Sequence, residues 1–192
     1  MPAINDWDNR TNTIIKAARY VPKKNQMLLI KSFIAVHEKH PGYSLELYGE
    51  GKTKPELIDY VKQNNAVEYI KVNPNTTQIF EHMNNAKIYV SSSDTEGYSN
   101  ALLEAMAMGV ACISTDCCGS VRDLIDDGVN CFVVPVNDMS ALSNALLAFM
   151  ENDTLAKEMA AKASEVRIKN SKEKIVGEWI SFFNSLLSQN EE

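Results

Sequence analysis

Two glutamates, Glu96 and Glu104, stand with seven residues between them in the stretch SSSDTEGYSNALLEAMAMG. A β-type run ends near Ser91, a polar loop follows, and helical periodicity starts near Asn100. Glu96 therefore falls in the loop. Glu104 falls inside the second helical turn, about 6 Å along the axis from Asn100, with its side chain leaning back toward the helix start. Between them the backbone amides of Ser99, Asn100 and Ala101 are expected to stand exposed at the helix N-terminus and to form an anion site. Tyr98 belongs to the same loop, and Gly97 is expected to let it turn tightly and approach a ligand. Carboxylates accept hydroxyl hydrogens and repel phosphate. The matching ligand has a phosphate centre with a hydroxyl-bearing group at each end, the layout of a nucleoside diphosphate sugar. The plainer reading is a solvated helix face whose acids favour the helix dipole. The strand–loop–helix context and the small residues Ala101, Ala105 and Ala107 favour a site.

The elements that must position these residues alternate along the chain. Short apolar runs at Thr13–Ala18, Ser44–Tyr48, Val67–Val72, Ala86–Ser91, Ala111–Thr115 and Cys131–Val134 read as strands covered on both faces. Helical patterns lie between them, at Asn25–Lys39, Pro55–Asn64, Thr76–Asn84, Asn100–Met108 and Ser140–Met150. This βα order predicts an α/β fold, an open parallel sheet of about six strands with helices on both faces. Gly109 is placed to end a helix in the left-handed conformation, and Asp138 or Ser140 to cap the next. From about residue 153 the strands stop. Thr154–Lys169 and Glu173–Leu187 predict a helical tail, the last segment striped by Ile175, Val176, Trp179, Ile180, Phe183, Leu186 and Leu187. Residues 1–12 read as a hinge-like lead segment, and 13–192 as the domain with its tail.

In such a sheet, ligands bind where loops leave the carboxyl ends of the strands. The chain there resembles a known family. EGYSNALLEAMAMGVACISTD is similar to the carboxyl-terminal signature of retaining glycosyltransferases of the GT-B fold, of the glycosyltransferase family 4 type. ARYVPKKNQMLLIKSF resembles that family's first strand and helix, LYGEGKTKPEL its second strand and Gly-x-Gly turn, and STDCCGSVRDLIDDGVNCFVVPVND its later strand, loop and closing turn. The resemblance covers about residues 13 to 150 and implies one Rossmann-like half of a GT-B enzyme. It gives Glu96 to the hydroxyls of the transferred sugar, Glu104 to the ribose, and Arg19 and Lys24 to the donor diphosphate. Two cations there can neutralise charge that develops on the leaving group. Lys23 is expected to face solvent. Gly49 is the first glycine of the Gly-x-Gly turn, and Asn73 belongs to a loop that faces the base in family members. The family commonly has Gly where this chain has Ala18, and Gly near Asn73.

The implied substrate is a nucleotide diphosphate sugar, with a UDP-sugar favoured, and the implied acceptor is a glycan or a lipid-linked acceptor. The implied partner is an N-terminal acceptor-binding domain, which this sequence does not contain, so the chain reads as the donor half of a longer enzyme or as a separate subunit. The isolated chain is then expected to bind a donor without transferring the sugar. Two other readings stay open: a nucleotide-sugar-binding module without turnover, and a GT-B-fold epimerase acting on the nucleotide sugar.

Composition limits the alternatives. The 192 residues are 45% hydrophobic and 23% charged, ordinary for a globular chain, and 19 basic against 25 acidic residues give a formal charge of −6. An acidic chain argues against general nucleic-acid binding, which rests on basic neutralisation of phosphates. No apolar stretch approaches the roughly 20 residues of a membrane span, and MPAINDWDNR lacks a signal-peptide core. A cytoplasmic location is expected, with peripheral contact at the inner face of the membrane in the full-length protein. Cys112, Cys117, Cys118 and Cys131 form no CxxC pair and read as reduced thiols. His37 and His40 have a spacing that can touch one metal, but no third ligand is evident, so no metal and no cofactor are expected.

Overall fold

The apolar runs become a six-stranded sheet in the order β3-β2-β1-β4-β5-β6. The strands are β1 (Thr11–Ala17), β2 (Ser44–Tyr48), β3 (Ile70–Asn73), β4 (Ala86–Ser91), β5 (Ala111–Thr115) and β6 (Phe132–Val134), and every pairing is parallel. The structure is a computed structural model and describes residues 2–188. Successive β1 side chains point to opposite faces, and each face has its own core. Ile14 packs with Leu29, Phe33, Leu45 and Leu146, whereas Ile15 packs with Met83, Leu102, Met106 and Cys112. Helices α1 (Gln26–His37), α2 (Lys54–Gln63) and α6 (Met139–Glu151) contribute to the first core. Helices α3 (Ile79–Asn85) and α4 (Asn100–Ala107) contribute to the second, and α7 (Asp153–Ser164) reaches both. The fold is the α/β Rossmann-like one expected, with a helical C-terminal tail.

Local chemistry explains the element ends. Asn25, left-handed at φ 43°, caps α1 by accepting the Leu28 N–H at 3.2 Å. Asp138 caps α6 by accepting the Ala141 N–H at 2.8 Å, which settles the choice between it and Ser140. Gly109 follows α4 with φ +62°, as its position predicts.

Several boundaries differ from the sequence expectation. β3 starts at Ile70 and not at Val67, because a turn uses the preceding backbone: the Tyr69 and Ile70 N–H groups both donate to the Ala66 carbonyl, at 3.2 and 2.9 Å. Val67 is left exposed. α3 starts at Ile79, after a turn in which Thr76 Oγ1 accepts the Gln78 N–H. The loop expected between β5 and β6 contains a short helix, α5 (Gly119–Leu124), whose N-cap Cys118 makes no side-chain cap hydrogen bond. The single helix expected over 154–169 divides at Glu165 into α7 and α8 (Val166–Lys169).

The final helix, α9, spans Lys172–Ser188 and leaves its apolar stripe exposed, including Trp179 (56%) and Phe183 (53%). No helix among the described residues is long and apolar enough to cross a membrane. The lead segment is fastened to the domain. The Trp7 indole N–H donates to Asp153 Oδ2 at 3.0 Å, and the Arg10 guanidinium donates to the carbonyls of Ala86 (3.0 Å) and Met108 (2.7 Å).

Candidate functional site

The sheet order reverses between β1 and β4, so the loops leaving their carboxyl ends diverge and open a crevice. The first loop runs from Ala18 through a 3-10 turn at Pro22–Lys24 and brings Arg19 and Lys24 to this edge. The second runs from Ser92 to Ser99 and carries Glu96. Polar contacts fasten the loops together. The Asp94 N–H donates to the Lys23 carbonyl (2.8 Å), and Asn25 Nδ2 donates to Asp94 Oδ1 (2.7 Å). The Ser92 hydroxyl donates to the Asn25 carbonyl (2.8 Å), and Lys24 Nζ is ion-paired with Glu96 Oε1. Lys23 is exposed, as expected.

The Lys24–Glu96 pair lies largely out of water, with side chains 18% and 9% exposed. The Ser93 hydroxyl donates to the same Glu96 oxygen at 2.7 Å. Burial pushes the Glu96 carboxyl up, but the hydrogen bonds from Lys24 and Ser93 and the charges of Lys24 and Lys16 outweigh it and hold the group below its usual range. Glu96 is therefore an ionised acceptor at neutral pH. One of its oxygens is already engaged by protein donors.

Two adjoining cavities meet at Ala17, Ala18 and Arg19. One, of about 240 Å³, is walled by Lys16, Lys24, Tyr89, Glu96, Tyr98 and the start of α4 at Ser99, Asn100 and Ala101. The other, of about 330 Å³, is walled by Tyr48, Gly49, Glu50, Asn75, Thr76 and Ile79. Arg19 is the cation common to both, and its guanidinium makes no hydrogen bond to the described residues. A larger groove of about 470 Å³ between Gly128–Val129 and α7, with Glu158, Lys162 and Glu165 in its wall, shares no residue with this crevice.

Of the residues singled out from the sequence, Arg19, Lys24, Glu96, Tyr98, Ser99, Asn100 and Ala101 converge on the first cavity, and Gly49 lines the second. Glu104 is half-buried on α4, where desolvation pushes its carboxyl up, and it walls neither cavity. Asn73 also walls neither; its carbonyl accepts the Tyr20 hydroxyl at 2.6 Å, and Asn75 takes the place at the cavity wall. The helix start is not wholly open, since the Asn100 N–H donates to the Tyr98 carbonyl at 3.2 Å.

The glycines divide differently from expectation. Gly97 does not have a positive φ, and a Cβ there meets no protein atom within 4 Å, so the loop turn does not require glycine. Gly49 and Gly51 are required. A Cβ on Gly49 falls 2.1 Å from the Ala18 carbonyl oxygen. Gly51 has φ +151°, and its Cβ falls 2.2 Å from the Tyr20 oxygen. The Gly-x-Gly turn lets the β2 loop lie directly on the β1 loop and so shapes the wall beneath Arg19.

Sequence reasoning passed over Lys16, Tyr89, Ser93, Glu50 and Thr76. For Lys16 a signal existed: it is the only charged residue in the apolar run TIIKAA. Its side chain is 2% exposed and walls the first cavity. Burial above all, and then the charge of Lys24, lower its amine to about 7 against the opposing charge of Glu96. Among the described residues no group of three or more His, Cys, Asp or Glu side chains is placed to hold a metal ion. His37 and His40 part company: His37 stacks on Tyr69 with ring centroids 3.5 Å apart, and His40 Nε2 faces Glu151 Oε1 at 3.7 Å. None of the four cysteines is in a disulfide.

Comparison with known proteins places this geometry among relatives. Residues 1–166 match the family described as glycosyl transferases group 1. The chain is 29% identical over 169 residues to the poly(ribitol-phosphate) alpha-N-acetylglucosaminyltransferase of Staphylococcus aureus, covering 88% of this chain and 34% of that protein. Its fold is similar to that of the pneumococcal O-GlcNAc transferase GtfA crystallised with UDP and GlcNAc (TM-score 0.84, 21% identity, covering 96% of this chain and 38% of that one). It is also similar to the C-terminal domain of the glycosyl transferase group 1 protein LpcC from Francisella tularensis (TM-score 0.76, 23% identity, covering 91% and 95%). The chain thus spans about a third of the length of the first relative, and nearly all of an isolated C-terminal domain.

Proposed function

Because this chain belongs to the glycosyl transferases group 1, we propose that it is the donor-binding half of a retaining glycosyltransferase that moves a hexose from a UDP-sugar to a glycan or lipid-linked acceptor. The observation that carries the reading is the pair of cavities meeting at Arg19, with the Lys24–Glu96 pair on one side and the Gly-x-Gly wall on the other. The diphosphate would sit at the junction, where Arg19 and Lys24 supply cations and the start of α4 adds its dipole. The sugar would occupy the Glu96 cavity and accept orientation from that ionised carboxylate. The nucleoside would lie along Gly49, Glu50 and Thr76, with Glu104 reaching the ribose from the α4 side once a ligand orders it. Glu96 orients the sugar and forms no covalent bond in this reading, since an acceptor attacking from the leaving-group side needs no carboxylate nucleophile. The donor class is supported by the pneumococcal neighbour, which was crystallised with UDP.

The acceptor-binding N-terminal domain would lie outside this chain. The exposed aromatic stripe of α9, with Trp179 stacked on Phe183 at 5.5 Å, is consistent with an apolar partner surface. Without that domain the acceptor is not held in near-attack geometry, a contribution of about 7–11 kcal/mol in favourable cases. The 192-residue chain should therefore bind donor and fail to glycosylate an acceptor. Calorimetric titration with UDP-glucose, UDP-N-acetylglucosamine and uridine, beside a transfer assay with labelled donors, tests both halves. Uridine binding as tightly as the sugar nucleotides would remove the diphosphate from the site, and robust acceptor glycosylation by this chain would overturn the half-enzyme reading. Appearance of an epimeric sugar nucleotide without acceptor would replace transfer by epimerisation.

A further inference from the structure

Lys16 is the one charged side chain in β1 placed within the sheet interior, between the fully buried Ile14 and Ile15 and the cavity edge at Ala17. Its amine makes no hydrogen bond to the described residues, although it walls the same 240 Å³ cavity as Arg19, Lys24 and Glu96. A buried ammonium without a partner is unfavourable by several kcal/mol, so an isolated lysine there loses its proton or finds an anion. The groups that face it are Arg19 and Lys24 from the β1 loop, Asp94 and Glu96 from the β4 loop, Tyr89 from β4, and Cys117 beyond β5. Burial holds the Tyr89 phenol and the Cys117 thiol in their protonated forms. Among the cavity walls, Arg19 and Lys24 bring two positive charges and Glu96 one negative charge. A sugar nucleotide brings two negative charges on its diphosphate, so these three groups leave the bound site short of one positive charge.

Resting on the donor-site reading above, we propose that Lys16 is a third phosphate-facing cation of this cavity, completed by proton uptake when the diphosphate of a nucleotide sugar enters. The step is a protonation only: one proton moves from solvent to Lys16 Nζ, and no covalent bond to the ligand forms. The position also fits the reaction. As the bond to the sugar breaks, the departing diphosphate gains negative charge, and a cation completed at binding is already in place. Burial bringing the amine to about 7 is consistent with a group that is mostly neutral in the open cavity above that pH.

The test is isothermal titration of the 192-residue chain with UDP-glucose and UDP-N-acetylglucosamine, whose diphosphates do not titrate between pH 7 and 9, in buffers of different ionisation enthalpy. Uptake approaching one proton per site is expected at pH 8, with affinity falling by up to about tenfold per pH unit between pH 8 and 9. In Lys16→Met both signals should vanish. In Lys16→Arg, permanently charged, binding should continue with no uptake and no pH slope. Binding by the parent chain without uptake, or uptake that persists in Lys16→Met, overturns the role of Lys16 while leaving the donor site standing. No binding of either sugar nucleotide by the folded parent chain removes the donor site and this role together.

Discussion

Two buried cations lie at opposite ends of the same strand, and their surroundings differ. Arg10 enters β1 from the amino-terminal edge of the sheet, 6% exposed, and donates to the carbonyls of Ala86 and Met108 and, at 3.4 Å, to that of Asn5. Burial lowers its guanidinium to about 10, so it stays charged, with only Nε left without a partner. Lys16 lies near the carboxyl-terminal edge, equally buried, with an open cavity in place of carbonyl partners. The contrast follows from the sheet. Its amino-terminal edge collects the carbonyls at the ends of preceding elements, such as Met108 after α4, and a guanidinium satisfies several at once. Its carboxyl-terminal edge opens toward loops and helix starts, where a cation meets a ligand instead. The first cation holds the fold together, and the second waits on chemistry.

The sharpest way to break this comparison is Arg10→Met. It leaves buried carbonyls unpaired and should cost about 3 kcal/mol or more of stability, read by urea denaturation, while UDP-sugar affinity of the folded protein stays unchanged. A matching loss of affinity would mean the two ends are coupled. At the other edge, Arg19→Ala and Lys24→Ala should weaken UDP-glucose by about 1.5–3 kcal/mol, the range for hydrogen bonds to a charged group, and uridine far less. If uridine binding falls equally, the pair supports the loops and not the phosphate.

Glu104→Ala should weaken UDP by a similar or smaller amount, at the low end near about 1.5 kcal/mol, since the carboxylate walls neither cavity in the open site. A 2′-deoxyribose analogue should lose much less on mutation than UDP does. Equal losses would take the ribose away from Glu104.

The smallest effect is a pH slope of stability. The folded Lys16 amine lies below its unfolded value of 10.5, at about 7, so above pH 7 the unfolded chain binds the extra proton. Its contribution therefore rises with pH across that interval, by at most about 1.4 kcal/mol per pH unit. Above pH 8 the buried thiols of Cys112 and Cys131, held up by desolvation, act in the opposite sense. The parent should gain on Lys16→Met between pH 7 and 8 in paired denaturation curves. Parallel curves would mean that Lys16 is not desolvated in the folded state.

Most strands were legible because β1, β2, β4 and β5 are apolar runs that a parallel sheet buries on both faces. β3 was misplaced because Val67, Tyr69 and Ile70 share one apolar signature, while the turn on the Ala66 carbonyl decides which of them pair. α5 was missed because its start at Cys118 has no capping side chain to announce it. Arg19, Lys24 and Glu96 were legible as charged residues in loops that follow strands. Lys16 was not, since a strand of apolar residues reads as core and its lysine as a tolerated exception.

By itself the sequence determined the alternation of elements, the ionisable residues at strand ends and the family to which they point, because periodicity and local spacing depend only on near neighbours. Tertiary structure alone decided that Lys24 pairs with Glu96 across 72 residues, and that Gly49 and Gly51 serve a backbone contact with Ala18 and Tyr20. It alone decided that Lys16 opens into a cavity while Arg10 does not. These outcomes depend on strand order, and the β1–β4 neighbourhood comes from how six strands bury two faces at once, a competition among distant segments that no local stretch of sequence encodes.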